Sequence, residues 1–140
     1  MHILDTDTLT YLHEGHPRVV QHLQQLGDPD VATTIITRIE LLRGCYDYLL
    51  KAATGSELLK AQQLLARTES LLGLLQTLPF NQDAAVRFDQ LRTTKGLGKI
   101  GRADLLIASI TFAHQATLVT RNVRHFRVIP GLRVVNWIDH

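Results

Sequence analysis

A short apolar run that stops in two carboxylates, Met1-His2-Ile3-Leu4-Asp5-Thr6-Asp7, constrains this chain more than any other stretch. The run reads as a buried strand, and in open α/β sheets ligands bind beyond the carboxyl ends of the strands, where Asp5 would stand. Asp5 and Asp7 share a face only if the strand continues through Thr6, because side chains alternate along a strand. The plainer role for either acid is to cap a following helix by accepting a backbone N–H. Both roles are open from this segment alone.

Two further acids repeat the arrangement. Glu40 follows the apolar, β-branched run Val31 to Ile36, so it falls in the first turn of a helix leaving a strand, and Thr37-Arg38-Ile39-Glu40 has the form of a capping box. Asp104 opens Ala103-Asp104-Leu105-Leu106-Ile107-Ala108-Ser109-Ile110, which is apolar on nearly every face and therefore reads as a buried helix. An acid at its start is favoured by the helix dipole whatever else it does. Each acid thus has a structural role available, and it is their coincidence that points to chemistry. Two carboxylates about 4 Å apart repel by roughly 4 kcal/mol at an effective dielectric near 20, so a convergent set raises its pKa values or binds a cation. Oxygen-only ligands select hard ions, Mg²⁺ or Mn²⁺. Zinc is disfavoured, since the 7 histidines include no His-x-x-x-His pair and the single cysteine, Cys45, cannot build a thiolate site.

The order Leu4-Asp5-Thr6, Thr37-x-x-Glu40-Leu41-Leu42-x-Gly44, Ala103-Asp104-x-x-Ile107-Ala108, and Leu118-Val119-Thr120-Arg121-Asn122-x-x-x-Phe126 resembles the PIN-domain ribonucleases, specifically the VapC toxins of prokaryotic toxin–antitoxin pairs. The resemblance runs over essentially the whole chain. It implies an α/β fold of the PIN type, with a mainly parallel central sheet between two layers of helices. It also implies a metal-dependent endoribonuclease in which Asp5, Glu40 and Asp104 are the catalytic, metal-binding acids and Thr120 and Asn122 stand at the edge of the site. The expected ion is Mg²⁺, with Mn²⁺ as a substitute. The expected partners are RNA and a VapB-like antitoxin, in a homodimer or a toxin–antitoxin hetero-oligomer. The chain departs from the family pattern twice: Asp7 stands where Asn is usual, and His125 where an acid is common. Asp7, Asn122 or a water is then expected to complete the shell.

Charge is divided unevenly along the chain. Residues 1 to 86 carry 6 Lys and Arg against 10 Asp and Glu, a net −4, whereas residues 87 to 140 carry 9 against 3, a net +6. A phosphodiester backbone approaching an acidic centre needs compensating cations, and Lys99, Arg102, Arg121 and Arg124 are the expected group. At 140 residues and 45% hydrophobic content the expectation is one domain with a single sizeable core. No apolar run approaches the ~20 residues of a membrane span, no signal-type segment opens the chain, and a lone cysteine forms no internal disulfide, so a cytosolic location is expected.

Patterning predicts strands near 2–5, 31–36, 75–80, 117–120 and 133–135. Helices are predicted near 8–14, 17–26, from 36 to about 53, from a Ser56 cap to about 75, over 82–95, and from Asp104 onward. Strands alternating with helices mean a parallel sheet covered on both faces. Gly96-Leu97-Gly98-Lys99-Ile100-Gly101 matches Gly-x-Gly-x-x-Gly but follows a helix rather than a first strand, which argues against dinucleotide binding and for a tight turn with a mobile approach to RNA. Leu58, Leu65 and Leu72 recur every seven residues, as either the core of an αα-hairpin or an apolar strip for a partner. Two rival functions are a haloacid-dehalogenase-type phosphatase, suggested by Asp5-Thr6-Asp7, and a non-catalytic metal- or RNA-binding module. Leu9 and the lack of a later Gly-Asp-x-x-x-Asp weigh against the phosphatase.

Overall fold

The computed structural model describes residues 1–140. Strand β1 (His2–Leu4) leads into helices α1 (Thr6–His13) and α2 (Pro17–Gln25), and β2 (Val31–Thr34) into α3 (Ile35–Lys51) and α4 (Gly55–Gly73). Then follow β3 (Gln76–Leu78), α5 (Gln82–Arg92), α6 (Arg102–Ala113), β4 (Thr117–Val119), α7 (Val123–Phe126) and β5 (Arg133–Val135). All neighbouring strands pair in parallel, in the order β3-β2-β1-β4-β5. The chain winds outward from β1 in one direction and resumes on its other side at β4. The crevice between the carboxyl ends of β1 and β4 is therefore the topological switch point, the place where such sheets bind ligands.

The two faces of the sheet are read directly from residue alternation. Ile3 and Leu118 point into the larger core with Ile107, Ile110 and Phe126, under α5 and α6. Leu4 and Val119, one residue on, point the other way, into a second core with Leu9, Val19, Leu72 and Trp137. This is the three-layer α/β/α arrangement expected from the alternating pattern. Each large side chain buried this way contributes about 1.5–3 kcal/mol.

Boundaries differ from the pattern where a side chain caps earlier than hydrophobicity suggests. β2 stops at Thr34, not Ile36, because the Thr34 hydroxyl accepts the N–H of Thr37 at 3.2 Å and starts α3 there. Glu40 consequently lies in the second turn of α3 and the expected Thr37–Glu40 capping box does not form. A box-like arrangement forms elsewhere: Thr54 Oγ1 accepts from the Glu57 N–H at 3.1 Å while Glu57 Oε2 accepts from the N–H of Ala53, one residue before the cap, at 2.8 Å, so Thr54 rather than Ser56 caps α4. The third strand is only Gln76–Leu78, α5 ends at Arg92, and the single turn of α7 lay outside the pattern altogether. The glycine loop is anchored rather than mobile: Leu97 and Ile100 are buried in the larger core, and Gly96 takes the left-handed φ of +90° that turns the chain just ahead of them.

Candidate active site

Asp5 caps α1 and also stands at the carboxyl end of β1. β1 ends at Leu4, the backbone turns, and Asp5 Oδ1 accepts the Thr8 N–H at 2.9 Å as the cap of α1. Its own N–H is held by the Val119 carbonyl at 3.1 Å, which binds it to β4. The residue is 8% exposed. Burial raises its pKa above the ordinary 3.8, and the Thr120 side chain and Thr8 only partly offset this. Because the helix starts at Thr6, Asp7 is not a strand neighbour of Asp5; it lies exposed in the first turn of α1, still on the pocket wall.

Glu40 arrives from α3 and Asp104 from the third position of α6. The Thr6 hydroxyl donates to Glu40 Oε1 at 2.7 Å and also stands 3.3 Å from the Thr37 hydroxyl, so a residue of α1 fixes a carboxylate of α3. Asp104 Oδ2 accepts from His125 Nε2 at 2.9 Å. Thr120 is fully buried and its hydroxyl oxygen accepts the Asn122 N–H at 3.0 Å. Asn122 begins α7 without committing its side chain to a cap. Asp5, Thr6, Asp7, Glu40, Asp104 and Asn122 line one cavity of about 250 Å³, closed below by Ile107 and Phe126. Thr120, which bonds to Asp5, is absent from its wall, as are the expected cations Lys99, Arg102, Arg121 and Arg124. Sequence reading missed Thr6, for which the only signal was a hydroxyl between two acids, and the bond that His125 makes to Asp104.

The donor set fits a hard divalent ion. No three of these groups stand close enough to grip one ion directly. Mg²⁺ does not require that, since it keeps several waters and takes one or two carboxylates, the remainder acting through those waters. The acids are kept apart by separate donors, Thr8 on Asp5, Thr6 on Glu40 and His125 on Asp104. The nearly buried Asp5 is the group whose charge most needs a cation beside it.

The expected cations differ in how far their charge is already paired. Lys99 and Arg102 are exposed beside the start of α6, and Arg124 is exposed on α7. Arg121 is spoken for: its Nε and one terminal nitrogen donate to the two Asp139 oxygens at 3.1 and 3.2 Å, and the other terminal nitrogen donates to the Tyr11 hydroxyl at 2.9 Å. Asp139 and Tyr11 raise the Arg121 pKa, while the Asn136 amide first and Arg121 second lower that of Asp139. Arg121 therefore fastens the C-terminal segment as much as it charges the site.

A family model described as the PIN domain matches residues 2–132. A protein named Ribonuclease VapC2, from Rickettsia felis, is 32% identical over 98% of each chain. The chain is a PIN domain of the VapC ribonuclease family. A protein of Salmonella typhimurium named tRNA(fMet)-specific endonuclease VapC is 27% identical over 96% of each. Among solved structures, Rickettsia felis VapBC2 bound to a promoter DNA fragment superposes with a TM-score of 0.79 at 30% identity, covering 97% of this chain and 98% of that one. DNA-bound VapBC from Salmonella typhimurium gives 0.80 at 26% identity over 97% of each. The likeness spans nearly the whole chain, so this PIN domain is similar to those proteins throughout and not in one motif alone.

Proposed function

We propose that Asp5, Glu40 and Asp104 hold Mg²⁺, with Mn²⁺ as a substitute, in an endoribonuclease that is the toxin of a toxin–antitoxin pair. The observation that carries this reading is the meeting of three acids from three separate elements in one cavity at the β1–β4 switch point. When bound, such an ion supplies an activated water and neutralises charge on the scissile phosphate. The chain's own residues do the rest. Thr6 and His125 orient Glu40 and Asp104, while Thr8 and Thr120 hold Asp5 so that it need not reorganise as substrate arrives. The free Asn122 amide is placed to donate to a phosphate or ribose oxygen. Lys99, Arg102 and Arg124, with Arg121 where Asp139 releases it, offset the charge of the RNA strand.

The phosphatase alternative needs Asp5 as an accessible nucleophile, yet Asp5 is 8% exposed and one of its oxygens is committed to the α1 cap. The test is the Asp104→Asn protein, which retains the fold and lacks the charge. Mapping RNA 5′ ends after incubation with pure wild-type and Asp104→Asn chains should show cuts only with wild type. Equal cutting by both would overturn the assignment, and metal binding without cleavage by wild type would favour the non-catalytic module.

The partner is a VapB-like antitoxin. The solved relatives include VapBC complexes, and this chain presents a surface for such a partner. A cleft of about 570 Å³ runs between α1, α3 and α4, and Glu40 lines both it and the acidic cavity. Exposed Ile39, Tyr46 and Leu50 follow the face of α3 turned away from Leu41, Gly44 and Cys45 of that cleft, with Leu58 and Leu59 exposed on α4, so a partner that also covers them wraps around the hairpin. An amphipathic helix seated in the cleft brings its flanking residues past Glu40 to the acids, where an Arg would bind the carboxylates in place of the ion. No helix is long and apolar enough to cross a membrane.

A further inference from the structure

The molecule carries a cavity larger than the acidic one. A cleft of about 630 Å³ opens on the other side of α7, within the roughly 300–1,000 Å³ range of ligand sites. α7 is the partition between them: Asn122 and Phe126 face the acidic cavity, whereas Val123, Arg124 and Arg127 line the cleft. The cleft has an apolar wall of Val134 and Trp137 from the β5 end of the chain and a rim of two exposed guanidinium groups. Neither Arg124 nor Arg127 is paired with an acid, in contrast to Arg121, and the one carboxylate at the cleft is the main-chain group of His140, which is bonded to His22. Trp137 is rigidly placed, stacked on His22 with ring centres 5.5 Å apart and 6° between planes, and on His2 at 5.7 Å.

We propose that this cleft is a nucleotide subsite, in which Arg124 and Arg127 take a phosphate of the RNA strand and the Val134–Trp137 wall takes the base beside it. An anionic head next to an apolar, flat group is what free arginines over an apolar wall select. Continuity supplies the rest. A helix is about 10–12 Å across, a span that one or two nucleotides of an extended strand bridge. A strand whose scissile phosphate lies at Asp5 and Asp104 therefore crosses α7 and sets a flanking nucleotide in the cleft. This inference rests on the ribonuclease reading, and it adds a second contact that reads a base at a fixed distance from the cut.

Trp137 is the only tryptophan, so the emission of the protein comes from one residue, packed in the second core with an edge on the cleft. The full chain carrying Asp104→Asn is titrated with a hexaribonucleotide, a diribonucleotide, adenosine monophosphate and inorganic phosphate, while binding is followed separately by fluorescence anisotropy of labelled RNA. The hexaribonucleotide and the monophosphate should shift Trp137 emission saturably, and inorganic phosphate should not. Arg124→Ala and Arg127→Glu, both at exposed positions, should weaken hexaribonucleotide binding about tenfold or more, and Arg127→Glu, whose side chain serves the cleft alone, should leave diribonucleotide binding unchanged. Silent Trp137 emission at saturating hexaribonucleotide, or wild-type affinity in both variants, would overturn the subsite while leaving RNA cleavage by wild type intact. An emission change produced by polyglutamate but not by RNA would reassign the cleft to an acidic protein segment. A wild-type chain that neither binds nor cuts RNA would end both readings together.

Discussion

The Nε2 of His125 lies 2.9 Å from Oδ2 of Asp104, so that a ring on α7 fixes the carboxylate that α6 presents to the acidic cavity. A carboxylate accepts and the ring N–H donates. His125 occupies the place where the family resemblance leads one to expect an acid, and the geometry shows what stands there instead: a donor that orients Asp104.

Removing that donor should loosen the metal site. His125→Ala is expected to weaken Mg²⁺ binding about 10–100-fold, the usual effect of losing a partner that orients a ligand, with His125→Asn restoring part of it through its amide. Isothermal titration of metal into each purified variant measures this without recourse to activity. Unchanged affinity in His125→Ala would mean that Asp104 is oriented by its helix alone.

Asp5 makes a prediction about stability that runs opposite to activity. Burial raises its pKa above 3.8, so its contribution is fully present below that unfolded value and is lost as pH rises through the folded one. At neutral pH the metal-free chain thus carries a buried charge as a liability. Asp5→Asn, which still caps α1, should abolish cleavage yet stabilise the metal-free fold by about 0.5–2 kcal/mol. That corresponds to a rise in melting temperature of about 3 °C per kcal/mol. Mg²⁺ at a hundred times its dissociation constant should stabilise wild type by about 2.7 kcal/mol and the variant much less. Thermal unfolding at pH 5 and pH 8, with and without metal, checks both. A lower melting temperature for Asp5→Asn at pH 8 would show that its hydrogen bonds outweigh its burial.

Much of this was legible in residue patterns because strands buried on both faces declare themselves. Ile3-Leu4, Ala32-Thr33 and Leu118-Val119 are consecutive residues that are all buried, as only a covered parallel strand allows. The acids were legible for the same reason, since each interrupts an apolar element at the sheet edge. What was hidden depends on contacts distant in sequence. Nothing near Thr6 announces its bond to Glu40, 34 residues away, and nothing near His125 announces Asp104, 21 residues away. The extent of β2 was misjudged because Ile35 and Ile36 are β-branched and extend the apolar run, while the decisive signal was a single hydroxyl at Thr34. Arg121 looked like a free cation because Asp139 lies 18 residues further on.

The pairing of Arg121 separates the cations by expected effect. Removing one cation from beside a phosphate should reduce the slope of log affinity against log salt by about 0.7 for single-stranded RNA. Lys99→Ala with Arg102→Ala should flatten the slope by up to two such steps, and Arg124→Ala by one. Arg121→Ala should change it less, because its guanidinium already answers to Asp139 and Tyr11. Binding of labelled RNA between low and moderate salt decides this. A larger slope change for Arg121→Ala than for Arg124→Ala would place the strand over the C-terminal segment instead.

The leucine repeat divides into core and surface, and the division can be tested. Leu72 is 1% exposed and packs with Leu4, Leu9 and Trp137 in the second core, whereas Leu58, two heptads earlier on the same helix, is 43% exposed. The helix runs off the edge of the core along its length, so the strip is buried at its end and open at its start. Leu72→Ala should cost about 2–5 kcal/mol through the cavity it leaves, and Leu72→Lys should prevent folding. Leu58→Lys should fold with an unchanged melting temperature and unchanged RNA cleavage. Combined with Leu50→Lys, which changes a side chain 82% exposed on α3, it should release the antitoxin while sparing the enzyme. Co-purification of the tagged variants with the antitoxin, followed by light scattering of what elutes, gives the outcome. Retained binding by the folded double variant would move the partner off the α3–α4 surface.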